Sequence, residues 1–316
     1  MKLTNYNSEE QAILKEVLSQ YQLYDPNISL LIESFIYRPY KTYHTNGQVK
    51  EEGVLRFYRY HGTLTSYYED GEIECTKEYT DGVLHGKVIT YFPMLFNGKR
   101  KIQSIKRYCN DLLHGLQEEY HESWSVYNIT LEKKNYNHGV LTGEVVNYYL
   151  NGRIRNIKTF DEKGLQQGHE YTYDTNENII EEVYYINGLR EGEYILRYWN
   201  GKLAKKGTYV NGKLHSIYLG WYENGNLEEE TNFNNGVYDG VCRKWYYNGK
   251  LKEEMCYFKN LLNGGYKKYY DNGNISEDMC FICGLIHGTR RLYTQEGKLM
   301  LTTIHYKGEI KSLKVE

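Results

Sequence analysis

Apolar and polar residues alternate along this chain in short runs that stop at glycine. The segment 240–263, GVCRKWYYNGKLKEEMCYFKNLLN, has the pattern in compact form. Alternation with a period of two places successive side chains on opposite faces of an extended strand, whereas an amphipathic helix needs spacings of three and four. An Asn-Gly pair divides the segment, and such a pair tolerates the positive φ of a tight hairpin turn. The same arrangement recurs in GEYILRYWNGKLAKKGTYVNGKLH (192–215), SIYLGWYENGNLEEETNFNNGVYD (216–239) and GGYKKYYDNGNISEDMCFICGLIH (264–287). These four stretches of 24 residues align without a gap. Upstream the spacing continues through Gly168, Gly143, Gly115, Gly86 and Gly62, with longer units opening at Gly86 and Gly115. A worn unit covers 40–61 and a last one opens at Gly288, giving about ten or eleven repeats, enough to stack into an array.

Two turns per unit fix a register. The first lies at Asp70-Gly71, Asn151-Gly152, Asn200-Gly201, Asn224-Gly225, Asn248-Gly249 and Asn272-Gly273; the second at Asp81-Gly82, Asn187-Gly188, Asn211-Gly212 and Asn235-Gly236. Read as two-residue loops, the first turns set Tyr247 opposite Lys250, Tyr246 opposite Leu251, Tyr270 opposite Ile275, Lys244 opposite Glu253, Arg243 opposite Glu254, Lys268 opposite Glu277 and Lys267 opposite Asp278. The second set Tyr209 opposite Leu214, Tyr257 opposite Leu262 and Phe281 opposite Ile286. Aromatic–aliphatic and opposite-charge neighbours stabilise antiparallel strands by roughly 0.2–1 kcal/mol each. The expectation is an all-β repeat array: an extended antiparallel sheet of 24-residue hairpins over 39–316, on the order of 100 Å long at the usual strand spacing. Columns headed by Tyr246, Leu251 and Tyr257 should form its more buried face.

Residues 1–38 differ. Ser8 with Gln11 fits a capping box, Ile13, Leu14, Val17 and Leu18 form one stripe, and Asp25-Pro26 can open a second helix bearing Leu30, Leu31 and Phe35. This segment reads as a helical N-terminal cap over the first strand edge.

Composition narrows function. The chain has 36 Tyr and 30 Gly but only 3 Pro, which suits a thin sheet whose rings have wettable tips. A formal charge of −2 argues against nucleic acid as partner. No apolar run is long enough to span a bilayer and no signal segment opens the chain, so a cytoplasmic protein with reduced cysteines is expected.

The unit with its Tyr-x-Asn-Gly-x-Leu core, clearest in YWNGKLAKKGTYVNGKLH and YYNGKLKEE, resembles the MORN repeat, in the variant form found in bacterial antitoxin-like proteins of the YwqK type. The resemblance covers about 40–310. It implies a hairpin array that acts as a protein-binding or dimerising scaffold, and in the bacterial variant an association with toxin neutralisation. Glu228-Glu229-Glu230 stands where the common pattern has glycine, and 86–142 carries insertions.

Candidate chemistry is sparse. His85, His114, His215 and His287 recur beside the second turn and read as exposed turn residues. Cys280-x-x-Cys283, with Cys256 one unit earlier, has the spacing of a redox or zinc motif; without a further ligand or a following helix the three read as small buried thiols. The acidic column Glu181, Glu229, Glu253, Glu277 with Glu182, Glu230, Glu254 and Asp278 reads as cross-strand charge pairing. No nucleophile elbow, phosphate loop or zinc helix occurs, so a non-enzyme without cofactor, metal or small-molecule substrate is expected. Trp221, Trp245, Tyr247, Tyr269, Arg243 and Lys267 share the second face in adjacent units and form the candidate partner-binding surface. The partner would be a protein, such as a toxin or effector; a peripheral membrane or dimerisation scaffold is the alternative.

Overall fold

The computed structural model describes residues 36–96, 99–122 and 129–315. These contain 25 β-strands, and no described residue after Ile36 is helical. Tyr37–Tyr43 is the first strand, so Tyr37 and Arg38 begin the sheet rather than end a helical segment. The remainder of the expected cap lies outside the described residues.

The chain divides into two compact units, residues 1–130 with 136–139 and residues 131–135 with 140–316. In the first, strands from Tyr37–Tyr43 to Gly115–His121 follow each other as an antiparallel meander. The insertion recognised at 86–142 includes an enlarged hairpin there, Val83–Phe96 with Lys99–Cys109. In the second unit, strands from Val140–Tyr148 to Glu309–Val315 form the same meander with closely repeated geometry.

One row of residues forms the core of the second unit. Val183 lies opposite Tyr194, Tyr218 opposite Thr231, Thr231 opposite Cys242, Cys242 opposite Met255, and Met255 opposite Tyr266. Val183, Tyr194, Thr231, Cys242 and Met255 are buried. Two residues along each strand, on the same face, lies the column Tyr209, Phe233, Tyr257 and Phe281. Rings of the two rows meet edge to face in three units, the place between Tyr218 and Tyr266 being taken by Cys242: Tyr194 with Tyr209 at 5.9 Å, Tyr218 with Phe233 at 6.2 Å, Tyr266 with Phe281 at 6.0 Å. Such contacts add roughly 0.5–1.5 kcal/mol each beyond burial. This is the face expected to be the more buried.

The two turns of a unit adopt different conformations. At the second, Asn211, Asn235 and the following glycines all have positive φ, and Val210 pairs with Lys213 and Asn234 with Val237. These are the two-residue turns expected, and the pairs Tyr209–Leu214, Tyr257–Leu262 and Phe281–Ile286 form.

The first turn is longer than expected. Tyr246 N–H donates to the Lys250 carbonyl and Gly249 N–H to the Tyr246 carbonyl; Gly249 has φ 84° whereas Asn248 is not in the left-handed region. Tyr247 and Lys250 therefore belong to the loop. Leu251 faces Trp245 rather than Tyr246, and Ile275 faces Tyr269 rather than Tyr270. A one-residue bulge between Trp245 and Lys244 restores the register, so Lys244–Glu253, Arg243–Glu254, Lys268–Glu277 and Lys267–Asp278 pair as expected.

Candidate functional site

The first turns are joined from unit to unit by side chains. The Tyr246 hydroxyl donates to the Tyr269 carbonyl at 2.7 Å, Tyr222 to Trp245 at 2.8 Å, Tyr198 to Trp221 at 2.6 Å and Tyr270 to Tyr293 at 2.8 Å. Tyr149 and Tyr68 repeat the bond to Tyr173 and Tyr91, and His44 Nε2 holds the equivalent place against Tyr67. A second ladder runs beside it. Asn224 Nδ2 donates to the Tyr247 carbonyl, Asn248 to Asp271 and Asn272 to Gln295, while each Oδ1 accepts the backbone N–H two residues on. Lysine adds a third contact: Lys202 Nζ reaches the Asn224 carbonyl and Lys250 Nζ the Asn272 carbonyl. The repeating asparagine thus satisfies its own turn and the next one, which explains its presence at a negative φ.

In the first unit the enlarged hairpin joins this system. Arg100 pairs with Asp70, lies over the Tyr68 ring at 4.0 Å and donates to the Phe92 carbonyl.

Along this hydrogen-bonded edge the residue between tyrosine and asparagine is exposed. It is Trp199, Glu223, Tyr247 and Asp271 in successive units. Trp199 is 77% exposed and Tyr247 60% exposed. The Trp199 indole N–H donates to Glu223 Oε1 at 3.0 Å, and Tyr247 meets the Tyr222 ring edge to face at 5.3 Å.

The six predicted residues separate into three groups. Trp221, Trp245 and Tyr269 close the strands and are half-buried opposite Leu227, Leu251 and Ile275. Arg243 is engaged internally, with Nε 2.7 Å from Glu254 and Nη1 3.1 Å from Glu230, and Lys267 lies between Glu254 and Asp278. Tyr247 alone stands at a turn tip. Trp199 lies off the strand faces, and its signal in the sequence is an indole in the column that holds Glu223, Tyr247 and Asp271 in the following units.

The acidic column is paired across the strands from Glu229 onward, whereas Glu181 lies opposite Thr172 and Leu196 and Glu182 opposite Tyr171 and Ile195, contrary to the expected charge pairing. Along one row Glu229, Lys244, Glu253, Lys268 and Glu277 succeed one another, and along the next Glu230, Arg243, Glu254, Lys267, Asp278 and Arg291. Among the described residues no group of three metal-ligating side chains converges. Cys280 and Cys283 are exposed, contrary to the expectation of small buried thiols, because Cys280 lies opposite Gly265 and Cys283 sits in the second turn at φ 49°. Cys256 is half-buried. His114 meets His138 at 4.6 Å, a pairing the repeat spacing did not reveal. No described helix is long and apolar enough to cross a membrane.

Comparison with known proteins places the repeat. Residues 39–55, 60–81, 166–187, 190–211, 214–235, 238–260 and 262–282 match the model of the MORN repeat variant. No curated protein matches. Among solved structures, similar chains occur in TcdB2-TccC3-Cdc42 (10% identity, TM-score 0.16, covering 87% of this chain and 20% of that one) and in TcdB2-TccC3 (11%, 0.19, 88% and 18%). The Tc holotoxin pore of Photorhabdus luminescens is another (10%, 0.18, 88% and 18%). The chain spans about a fifth of the length of those proteins, and TM-scores this low carry no functional reading. With seven matched copies, each built on the hairpin described above, the chain is a MORN-repeat protein.

Proposed function

We propose that this protein is a non-enzymatic scaffold that captures a protein partner, and that it acts as an inhibitor of the antitoxin type. The observation carrying the proposal is Trp199, most of whose surface is exposed while its indole N–H donates to Glu223. A large ring with two side-chain torsions orders at low entropy cost on binding, and buried indoles dominate the energetics of many interfaces. Tyr247, two units on, extends the surface along the turn edge, and Trp221, Trp245, Tyr269, Arg243 and Lys267 lie on the strands leading to it. The sign-alternating charge rows give no broad basic face, which favours a protein partner over an anionic membrane.

Replacing Trp199 and Tyr247 together with alanine should weaken capture of a co-purified partner by about 2–4 kcal/mol and leave the melting temperature nearly unchanged. Undiminished binding by the folded double variant would remove the turn edge from the interface. Replacing Trp221 and Trp245 by alanine separates the strand face from the edge in the same assay.

A further inference from the structure

Each unit has a second irregularity, opposite its inner strand, where three residues of one strand face a single residue of the next. Glu191–Glu193 lie opposite Tyr184 in this way, between the pairs Val183–Tyr194 and Tyr185–Arg190. The central glycine at equivalent sites has a positive φ, and at some of them the residue across the bulge closes the space beside it. A Cβ built on Gly240 would meet Asn232 Cβ at 3.2 Å, and one on Gly264 would meet Cys256 Cβ at 3.0 Å. At Gly192, as at Gly62, Gly168 and Gly288, nothing lies within 4 Å; Gly192 is set apart by the side chains around it.

The opening at Gly192 continues into a pocket of about 470 Å³ lined by His169, Glu182, Tyr184, Gly192, Glu193 and Ile195. Its walls are unlike the rest of the charge pattern. Tyr184 pairs across the strands with His169, and their rings meet edge to face at 4.8 Å; His169 in turn stacks on Tyr171 at 5.3 Å with an interplanar angle of 7°. Two carboxylates border the rings. Glu182 lies opposite Tyr171 and Ile195 and stands 3.2 Å from His169 Nδ1, while Glu193 is held by Lys206 Nζ at 2.5 Å. Aromatic faces joined to carboxylates form a recognition element for an organic cation, because ring quadrupole and anion attract the same charge. A planar guanidinium uses both, stacking on a ring and offering forked donors to a carboxylate. Lys206 already supplies an internal cation to Glu193, which marks the place as one that accepts such a group.

We infer that the Gly192 pocket binds the guanidinium of an arginine side chain presented by a partner protein, with Tyr184 and His169 as ring walls and Glu182 and Glu193 as anions. None of its residues belongs to the turn edge or to the six-residue strand surface, so the inference stands whether or not those surfaces bind.

The test is a titration of the full chain with the blocked tripeptide acetyl-Gly-Arg-Gly-amide, followed by NMR. Its citrulline counterpart, which keeps the shape and removes the charge, is the control. Saturable shifts at His169 and Tyr184 with the arginine peptide are expected, and none with citrulline. Tyr184→Leu and Glu182→Gln should each weaken binding by about three- to thirty-fold. Lys206→Met frees Glu193 and should tighten it several-fold, a gain that loss of structure cannot imitate. Equal binding of the two peptides, absence of binding, or failure of Lys206→Met to tighten it would overturn the inference. Butane-1,4-diamine binding as tightly as the peptide would overturn the assignment to a partner's side chain.

Discussion

The dipeptide Asn-Gly occurs twice in the segment 216–239, and its two copies do different work. Asn235-Gly236 is a two-residue turn in which both residues occupy the left-handed region, at φ 51° and 83°. In Asn224-Gly225 only the glycine does, and the asparagine side chain instead bonds to the Asn226 N–H and to the Tyr247 carbonyl of the next unit. One asparagine is retained for its backbone, the other for its amide. Identical local sequence therefore leads to a conformational turn at one end of the hairpin and a connecting turn at the other. Only the connecting turn carries the tyrosine hydroxyls, so it should be the one that chemistry can break selectively.

Alkaline pH should have the largest effect. Burial raises the phenol pKa of Tyr194, Tyr218 and Tyr266 to about 12 from the ordinary 10, with Glu181, Glu229 and Glu253 as the next cause in turn. Burial also raises those of the ladder tyrosines Tyr68, Tyr198, Tyr222 and Tyr246. Between pH 10 and 12 the unfolded chain has released protons that the folded chain retains. Stability is thus intact below pH 10 and falls as pH rises through this window. Phenolate absorbance near 295 nm should rise together with loss of the β-sheet circular dichroism signal; ionisation of all tyrosines near pH 10 in a folded chain would show the hydroxyl ladder to be unimportant.

Asn248→Gly comes next. It keeps a residue suited to any turn and removes two hydrogen bonds, for an expected loss of about 1–3 kcal/mol in denaturant unfolding. Tyr246→Phe deletes a single hydroxyl and leaves the Tyr269 carbonyl without that donor, at about 1 kcal/mol. Asn235→Gly preserves the left-handed turn and should shift stability by less than about 0.5 kcal/mol. Equal losses for the two asparagine variants would erase the distinction between the turns.

Much of the fold was legible in the residues because its causes are local. Strand alternation, the second turn and the charge pairs around Arg243 and Lys268 all depend on neighbours within one or two hairpins. The first turn was misread because its geometry depends on partners 23 residues away, such as Tyr246 with Tyr269, which a dipeptide preference does not register. The candidate surface was legible in part. Strand parity put Arg243 and Trp245 on one face, but it could not reveal that Glu230 and Glu254 already occupy the guanidinium. Nor could it show the pocket that His169, Glu182 and Tyr184 form beside Gly192.

The hydroxyl ladder also sets rules for how such a chain can lengthen. Tyr198, Tyr222, Tyr246 and Tyr270 each reach the residue 23 positions ahead. Insertion of a few residues within a unit would carry the acceptor out of reach, whereas gain or loss of a whole unit is invisible to the ladder. Excision of 216–239 would bring Trp245 to the place of Trp221, and the Tyr198 hydroxyl would find the same carbonyl on the same residue type. The enlarged hairpin of 83–109 fits this constraint, since Phe92 stands in the tyrosine column there without a hydroxyl to place. Inheritance by duplication of whole blocks thus agrees with the hydrogen bonding, and the ladder bond from Tyr149 to Tyr173, 24 rather than 23 positions ahead, shows that it absorbs a one-residue extension.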